Sequence, residues 1–197
     1  MIINGEISRG RRYHAAFFLL AGPNGSGKTT IAPHLISRIG VYLNADIYAK
    51  KLIEAGVTSP DIEAGRILLR DWDALERKRA DFTVETTLAS RSFIPHIKEM
   101  QKVGYRFHLI FLWIPNPEIA IERVTERTLH GGHYIPESVI RRRYVAGLRN
   151  FFTLYRPIAN TWRIFDNSAS ALPNLIAKGS LKVQKEELWN QIKSQWI

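Results

Sequence analysis

The run Gly22-Pro23-Asn24-Gly25-Ser26-Gly27-Lys28-Thr29, followed by Thr30, has the spacing G-x-x-x-x-G-K-[ST]. Its residue types suit one task, wrapping a chain of phosphates. Glycines let backbone N–H groups turn inward where a Cβ would collide or demand a forbidden φ. A helix starting at Lys28 points its positive end at the same oxygens. The Lys28 ammonium reaches the β- and γ-phosphates, and the Thr29 hydroxyl suits Mg²⁺. The loop therefore predicts a nucleoside triphosphate, ATP or GTP, held with Mg²⁺.

Phosphate binding does not fix the reaction, because motors, switches and kinases all use such loops. The other candidates for chemistry are three polar triplets: Asn44-Ala45-Asp46, Glu85-Thr86-Thr87 and Asp166-Asn167-Ser168. Asp46 is placed for a general base that takes a proton from an acceptor hydroxyl. Its plainer role is to cap a helix. Glu85 is placed to meet acceptor hydroxyls, as are Asn44, Thr86 and Thr87, or to hold Mg²⁺ through water; alternatively it faces solvent. The third triplet lies near the base of the nucleotide or is only a turn.

Arginines supply the remaining chemistry. Between residues 120 and 165 eight arginines (123, 127, 141, 142, 143, 149, 156, 163) stand against three acids (122, 126, 137). Arg123 and Arg127 are four apart and share a helical face. After the turn His130-Gly131-Gly132-His133, a second helix carries an apolar stripe of Ile140, Tyr144, Leu148, Phe151 or Phe152, and Tyr155. At ~100° per residue Arg142 faces away from that stripe, flanked by Arg141 and Arg143. Helix, glycine turn and arginine-bearing helix, within residues 117–145, have the layout of a lid closing over a triphosphate. His133 is either a contact in the closed lid or an exposed loop residue.

These side chains need a frame. Apolar runs at 15–21, 41–43, 82–84, 106–114 and 161–165 read as strands, and amphipathic segments between them read as helices. Helices are expected at 28–39, 46–55, 60–80, 92–103, 117–129 and 135–155, with Ser59 as the cap of the third. This alternation predicts an α/β fold, a P-loop NTPase three-layer sandwich. Its parallel sheet has about five strands, helices on both faces and an arginine-bearing helical lid. In such a sheet ligands gather at the carboxyl ends of the strands, where the three triplets fall. The strongest strand, 106–114, ends in Pro115-Asn116-Pro117 and offers no acid to poise water, which argues against a motor. A basic tail (1–13) precedes the sheet, and a strand pair (175–178 with 181–183) and a helix (185–195) close the chain, within a single domain of 1–197.

Composition bounds the rest. The chain has 197 residues, 45% apolar and 23% charged, enough for a buried core. It has no cysteine, which excludes disulfides, thiol catalysis and cysteine-ligated metals. No apolar run approaches the ~20 residues of a bilayer span, and Arg9, Arg11 and Arg12 before residues 15–21 mimic a secretory signal only until the glycine loop begins. A cytoplasmic protein with no membrane role is expected. The 28 basic and 18 acidic residues leave +10, which calls for an anionic partner.

The combined motifs resemble the zeta-toxin family of P-loop kinases, in particular its stand-alone bacterial predicted-ATPase branch. The matching pieces are residues 22–30, Asn44-Ala45-Asp46, Glu85-Thr86-Thr87-Leu88, Trp113-Ile114-Pro115-Asn116-Pro117 and Glu122-Arg123 with Arg127. Gly131-Gly132-His133-Tyr134-Ile135-Pro136, Arg142-Arg143-Tyr144, Leu148-Arg149-Asn150-Phe151 and Asp166-Asn167-Ser168 complete the set. The resemblance implies a kinase that phosphorylates a sugar hydroxyl of UDP-N-acetylglucosamine, with Asp46 activating the hydroxyl. It also implies that Arg123, Arg127 and Arg143 contact phosphates, and that a small helical antitoxin obstructs the nucleotide site. The segment 90–106 shows little that would cradle a uridine diphosphate.

Phosphotransfer from ATP to a small-molecule hydroxyl is thus the leading expectation. A nucleic-acid-associated ATPase or polynucleotide kinase is motivated by the charge, but no aromatic–basic interleaving marks a strand-binding groove. A non-catalytic nucleotide-binding regulator is the third reading.

Overall fold

A computed structural model describes residues 14–36, 40–132, 134–169, 172–179 and 182–196. The basic tail, Leu181 and His133 lie outside the described residues.

Five strands form the parallel part of the sheet: β1 (Ala16–Ala21), β2 (Val41–Leu43), β3 (Phe82–Thr86), β4 (Arg106–Trp113) and β5 (Thr161–Asp166). Two more, β6 (Asn174–Lys178) and β7 (Lys182–Val183), add antiparallel at one edge, giving the order β2-β3-β1-β4-β5-β6-β7. The central strands β1 and β4 are apolar along most of their length because both their faces are covered. Phe17, Leu19 and Ala21 of β1 join Phe107, Leu109, Phe111 and Trp113 of β4 in the larger core. Leu20, Ile110 and Leu112 point the other way, against Ala32 of α1 (Lys28–Ile36).

The larger core is closed by α3 (Pro60–Arg77), α4 (Phe93–Lys102), α5 (Pro117–Leu129), α6 (Glu137–Asn150) and α8 (Glu186–Ser194), through Trp72, Ile97, Val124, Tyr144 and Trp189 among others. The expected α/β sandwich is the observed one, with helices on both faces. Short α2 (Ala45–Glu54) lies against α3, tied by the Tyr48 hydroxyl donating to Asp71 at 2.8 Å.

Three local expectations need correction. Ser59 holds the cap position of α3 with Pro60 at the first helical position, as expected, but its side chain makes no capping bond. Strand β3 runs two residues further than its apolar stretch, so Glu85 and Thr86 are strand residues paired with Leu20 and Ala21. The long helix expected over 135–155 is α6 followed by a π-helical turn, Phe151–Tyr155, and a short α7, Arg156–Ile158. Hydrophobic spacing does not reveal such a switch, because Phe151, Phe152 and Tyr155 are buried in either register.

Candidate active site

The phosphate loop leaves β1 and enters α1, as its motif requires. Gly22 and Gly27 take φ of +147° and +84°; a Cβ on Gly22 would lie 2.4 Å from the Leu112 carbonyl oxygen, and one on Gly27 would lie 2.4 Å from Asn167 Nδ2. Lys28 is buried, and its Nζ donates to the carbonyls of Gly22 and Pro23, both at 2.8 Å. Burial lowers its pKa, Arg127 and Arg143 push the same way, and Glu85 and Asp46 oppose them. Asn24 Oδ1 and Ser26 Oγ are buried without a hydrogen-bond partner among the described residues.

Glu85 is the hub beside the loop. Its carboxylate accepts from Thr29 Oγ1 at 3.2 Å, from Asn44 Nδ2 at 3.0 Å and from the Tyr42 hydroxyl, and stands 4.0 Å from Lys28 Nζ. Burial and the adjacent Glu85 charge raise the Tyr42 pKa, so Tyr42 stays a donor. Asn44 turns its other amide atom to α2: Oδ1 accepts from the backbone N–H of Asp46 at 2.8 Å. One buried side chain therefore fixes both acids. Asp46, in the first turn of α2, is exposed.

Two cavities meet at these residues. The first, about 710 Å³, runs along the loop past Gly25, Thr30, Arg123, Arg127, Asn167 and Pro173. The second, about 520 Å³, lies between α3 and the β3–α4 loop, and includes Leu69, Thr86, Thr87, Ser90, Phe93 and Arg143. Asn24, Lys28, Asp46 and Glu85 border both. Asp46 thus stands at the junction, with the cleft along the loop on one side and the second compartment on the other.

The arginines separate by partner. Arg123 is turned onto backbone oxygens: it donates to Gly25 at 3.3 Å, Asn167 at 2.9 Å and Ser168 at 2.7 Å, fastening the loop to the end of β5. Arg127 lines the first cavity, with the α5 stop folded around its stem. The Gly131 and Gly132 N–H groups bond the Thr128 and Arg127 carbonyls at 3.0 and 2.9 Å, with Gly131 at φ +82°. That is a Schellman cap, so the glycine pair is a defined helix stop. Arg143 borders the second cavity, while Arg141 pairs with Glu118 at 2.5 Å and Arg142 is exposed.

Asn167 also donates from Nδ2 to the Ser26 carbonyl at 2.8 Å. The third triplet is therefore a brace under the loop. Its spacing in the sequence carries no such signal; neither does that of Tyr42, whose role depends on strand register, nor that of Leu69 and Phe93 in the second cavity.

An oxygen donor set of Thr29 and Glu85 fits a hard cation such as Mg²⁺. Among the described residues no cluster of three or more His, Asp or Glu side chains could hold a metal without other ligands, so phosphate oxygens would complete the shell.

Fold and phosphate loop together define a protein of the P-loop class. The chain belongs to the zeta toxin family, whose model matches residues 6–172. A protein of Haemophilus influenzae strain Rd described as uncharacterized is 29% identical over 123 residues, which is 62% of this chain and 88% of that protein. A chain of the AvrRxo1-ORF1:AvrRxo1-ORF2 complex with sulphate ions superposes with a TM-score of 0.75 and 21% identity, over 93% of this chain and 65% of that one. The same complex with ATP gives 0.74 and 20%, with the same coverage. This chain thus spans 65% of the length of the AvrRxo1 chain it matches. A chain of the PezAT chromosomal toxin–antitoxin system of Streptococcus pneumoniae gives 0.62 and 16%, over 95% and 89%. At these identities the structural likeness is one of fold. No described helix is long and apolar enough to cross a membrane.

Proposed function

We propose that this protein transfers the γ-phosphoryl group of ATP or GTP to a hydroxyl of a small molecule bound in the second cavity. The observation that carries the proposal is the position of Asp46 and Lys28 on the shared border of two cavities. A donor triphosphate lies along the loop, with the Lys28 ammonium on its β- and γ-oxygens. Asp46 takes the proton of the acceptor hydroxyl, the hydroxyl oxygen bonds the γ-phosphorus, and the bond to the β–γ bridging oxygen breaks to release the nucleoside diphosphate. Asp46 then loses the proton to water. Arg127 and Arg143 approach from the two sides and neutralise charge on the transferring group. Thr29 and Glu85 would hold Mg²⁺, which would supply charge neutralisation to the phosphates.

A nucleotide sugar of the UDP-N-acetylglucosamine type is the acceptor class that family membership favours. The same membership supports a role as the toxin of a toxin–antitoxin pair in the cytoplasm, with a partner that covers the nucleotide cleft. The test is incubation of the protein with γ-labelled ATP and a cell extract, with UDP-N-acetylglucosamine in a parallel reaction. A labelled small molecule is expected with the native protein and none with Lys28→Ala or Asp46→Asn, while Asp46→Asn still binds ATP. Full transfer by the Asp46 variant would refute the mechanism. Label on oligonucleotides instead would favour a polynucleotide kinase.

A further inference from the structure

The wall of the second cavity is an unusual piece of backbone. Thr86 at the end of β3 and Thr87, Ala89, Ser90 and Ser92 from the loop between β3 and α4 border the cavity. At the turn of this loop Leu88 adopts φ +58°, a left-handed conformation that a branched side chain avoids, with its side chain fully buried. The loop hydroxyls fold back onto its own amides: Thr86 Oγ1 accepts from Leu88 N at 3.1 Å and Ser90 Oγ from Ser92 N at 3.0 Å. The carbonyls of Leu88, Ala89 and Ser90, at the centre of the loop, take donors from outside it.

Those donors come from one helix. Asn150 Nδ2 reaches the Leu88 carbonyl at 2.7 Å and that of Ala89 at 3.3 Å, and the Tyr155 hydroxyl reaches the Ser90 carbonyl at 2.7 Å. One turn earlier Gly147 leaves room for the Thr87 carbonyl, which would lie 2.4 Å from a Cβ there. Asn150 and Tyr155 are five residues apart, so an unbroken α-helix would set them about 140° apart. The π-helical turn Phe151–Tyr155 lies between them, with the Arg156 N–H bonded to the Phe151 carbonyl. A π turn closes on the fifth residue and so brings both donors to one face. The same helix carries Arg143 into the cavity two turns before Asn150.

We infer that Asn150 and Tyr155 are positioning residues: through the π turn they hold the 86–92 loop in the shape that orients an acceptor next to Asp46. Neither borders either cavity, so their effect passes through the loop. This inference rests on reading the second cavity as the acceptor site.

The test uses Asn150→Ala and Tyr155→Phe in the full chain; the second removes a single hydroxyl and retains the buried ring. Hydrogen exchange should quicken about tenfold in the 86–92 amides and stay unchanged in β1 and β4. Affinity for a fluorescent ATP analogue should stay within twofold of native. With UDP-N-acetylglucosamine as the probe acceptor, its KM should rise about tenfold while the KM for ATP holds. A merely structural role would lower the active fraction and leave both KM values alone. Exchange unchanged in the loop, or quickened throughout the sheet, overturns the inference. If the native protein transfers nothing to any acceptor, the functional proposal has failed and the exchange arm alone decides whether the clasp exists.

Discussion

Thr29 Oγ1 lies 3.2 Å from Glu85 Oε2, although 56 residues separate them in the chain. Sheet register produces the meeting: β1 pairs in parallel with β3, so Leu20 stands opposite Glu85 and the loop after β1 passes over it. Glu85→Gln keeps an oxygen that can accept from Tyr42 and Asn44 but loses the charge next to Thr29. The Mg²⁺ concentration that half-saturates transfer should rise about 10–100-fold, the range for losing a group that supports a metal. Titration of Mg²⁺ at saturating ATP measures it, and an unshifted midpoint removes Glu85 from the metal site.

Arg123, Arg127 and Arg143, which border the cavities, and Arg141, which does not, should give four different outcomes. Arg123→Ala leaves three backbone carbonyls without their shared donor, so nucleotide affinity and thermal stability should fall together. Arg127→Ala should spare stability and lower kcat by about 10²-fold or more, as expected for charge that assists only the transferring phosphoryl group. Arg143→Ala should lower kcat as Arg127→Ala does and, because Arg143 borders the second cavity, should also raise the acceptor KM. Arg141→Ala breaks only an exposed pair and should match the native enzyme. Steady-state kinetics and melting curves on the four variants check the pattern. Equal losses in all four would mean that the arginines work as one field.

Much of this arrangement is legible in the residues because phosphate chemistry is local. Residues 22–29 are contiguous, and a strand–glycine loop–helix can only present its amides to an anion. Asp46 and Glu85 are legible for a weaker reason: parallel strands put their carboxyl ends on one edge, so polar residues there converge. What depends on register or on side-chain direction is hidden. Asn44 has two amide atoms, and nothing in its neighbours says that one caps α2 while the other holds Glu85. Arg123 and Arg127 share a helical face and both border the cleft, yet Arg123 turns its guanidinium onto backbone carbonyls. The π turn is invisible because aromatic residues satisfy burial in either register.

Gly27 gives a sharper test of the brace under the loop. A Cβ there meets Asn167 Nδ2 at 2.4 Å, and the residue holds φ +84°. Gly27→Ala should therefore abolish measurable nucleotide binding. Adding Asn167→Ala clears the collision but leaves the left-handed backbone, which costs an alanine about 1–2 kcal/mol. The double variant should recover binding only in part. Full recovery would show that crowding alone was at fault, and no recovery that Asn167 is needed for its bond to Ser26.

Asp166 gives the brace a pH dependence. Burial works against its charged form, but hydrogen bonds from the Ser168 hydroxyl and N–H, at 2.6 and 3.0 Å, and from Lys185 Nζ at 3.1 Å prevail. Its pKa is consequently held below the ordinary aspartate value. A depressed folded pKa means that the unfolded chain takes up the proton first. The stabilisation is fully present above the unfolded value of about 3.9 and is lost as pH falls through the folded value. Asp166→Asn lacks the titration, so its melting temperature should lie below native at pH 7, and the gap should close on acidification past about pH 4. Melting curves at half-unit pH steps measure that difference directly. A gap that stays constant across the acid range would mean that the Asp166 charge contributes nothing to the turn that holds Asn167 against the loop.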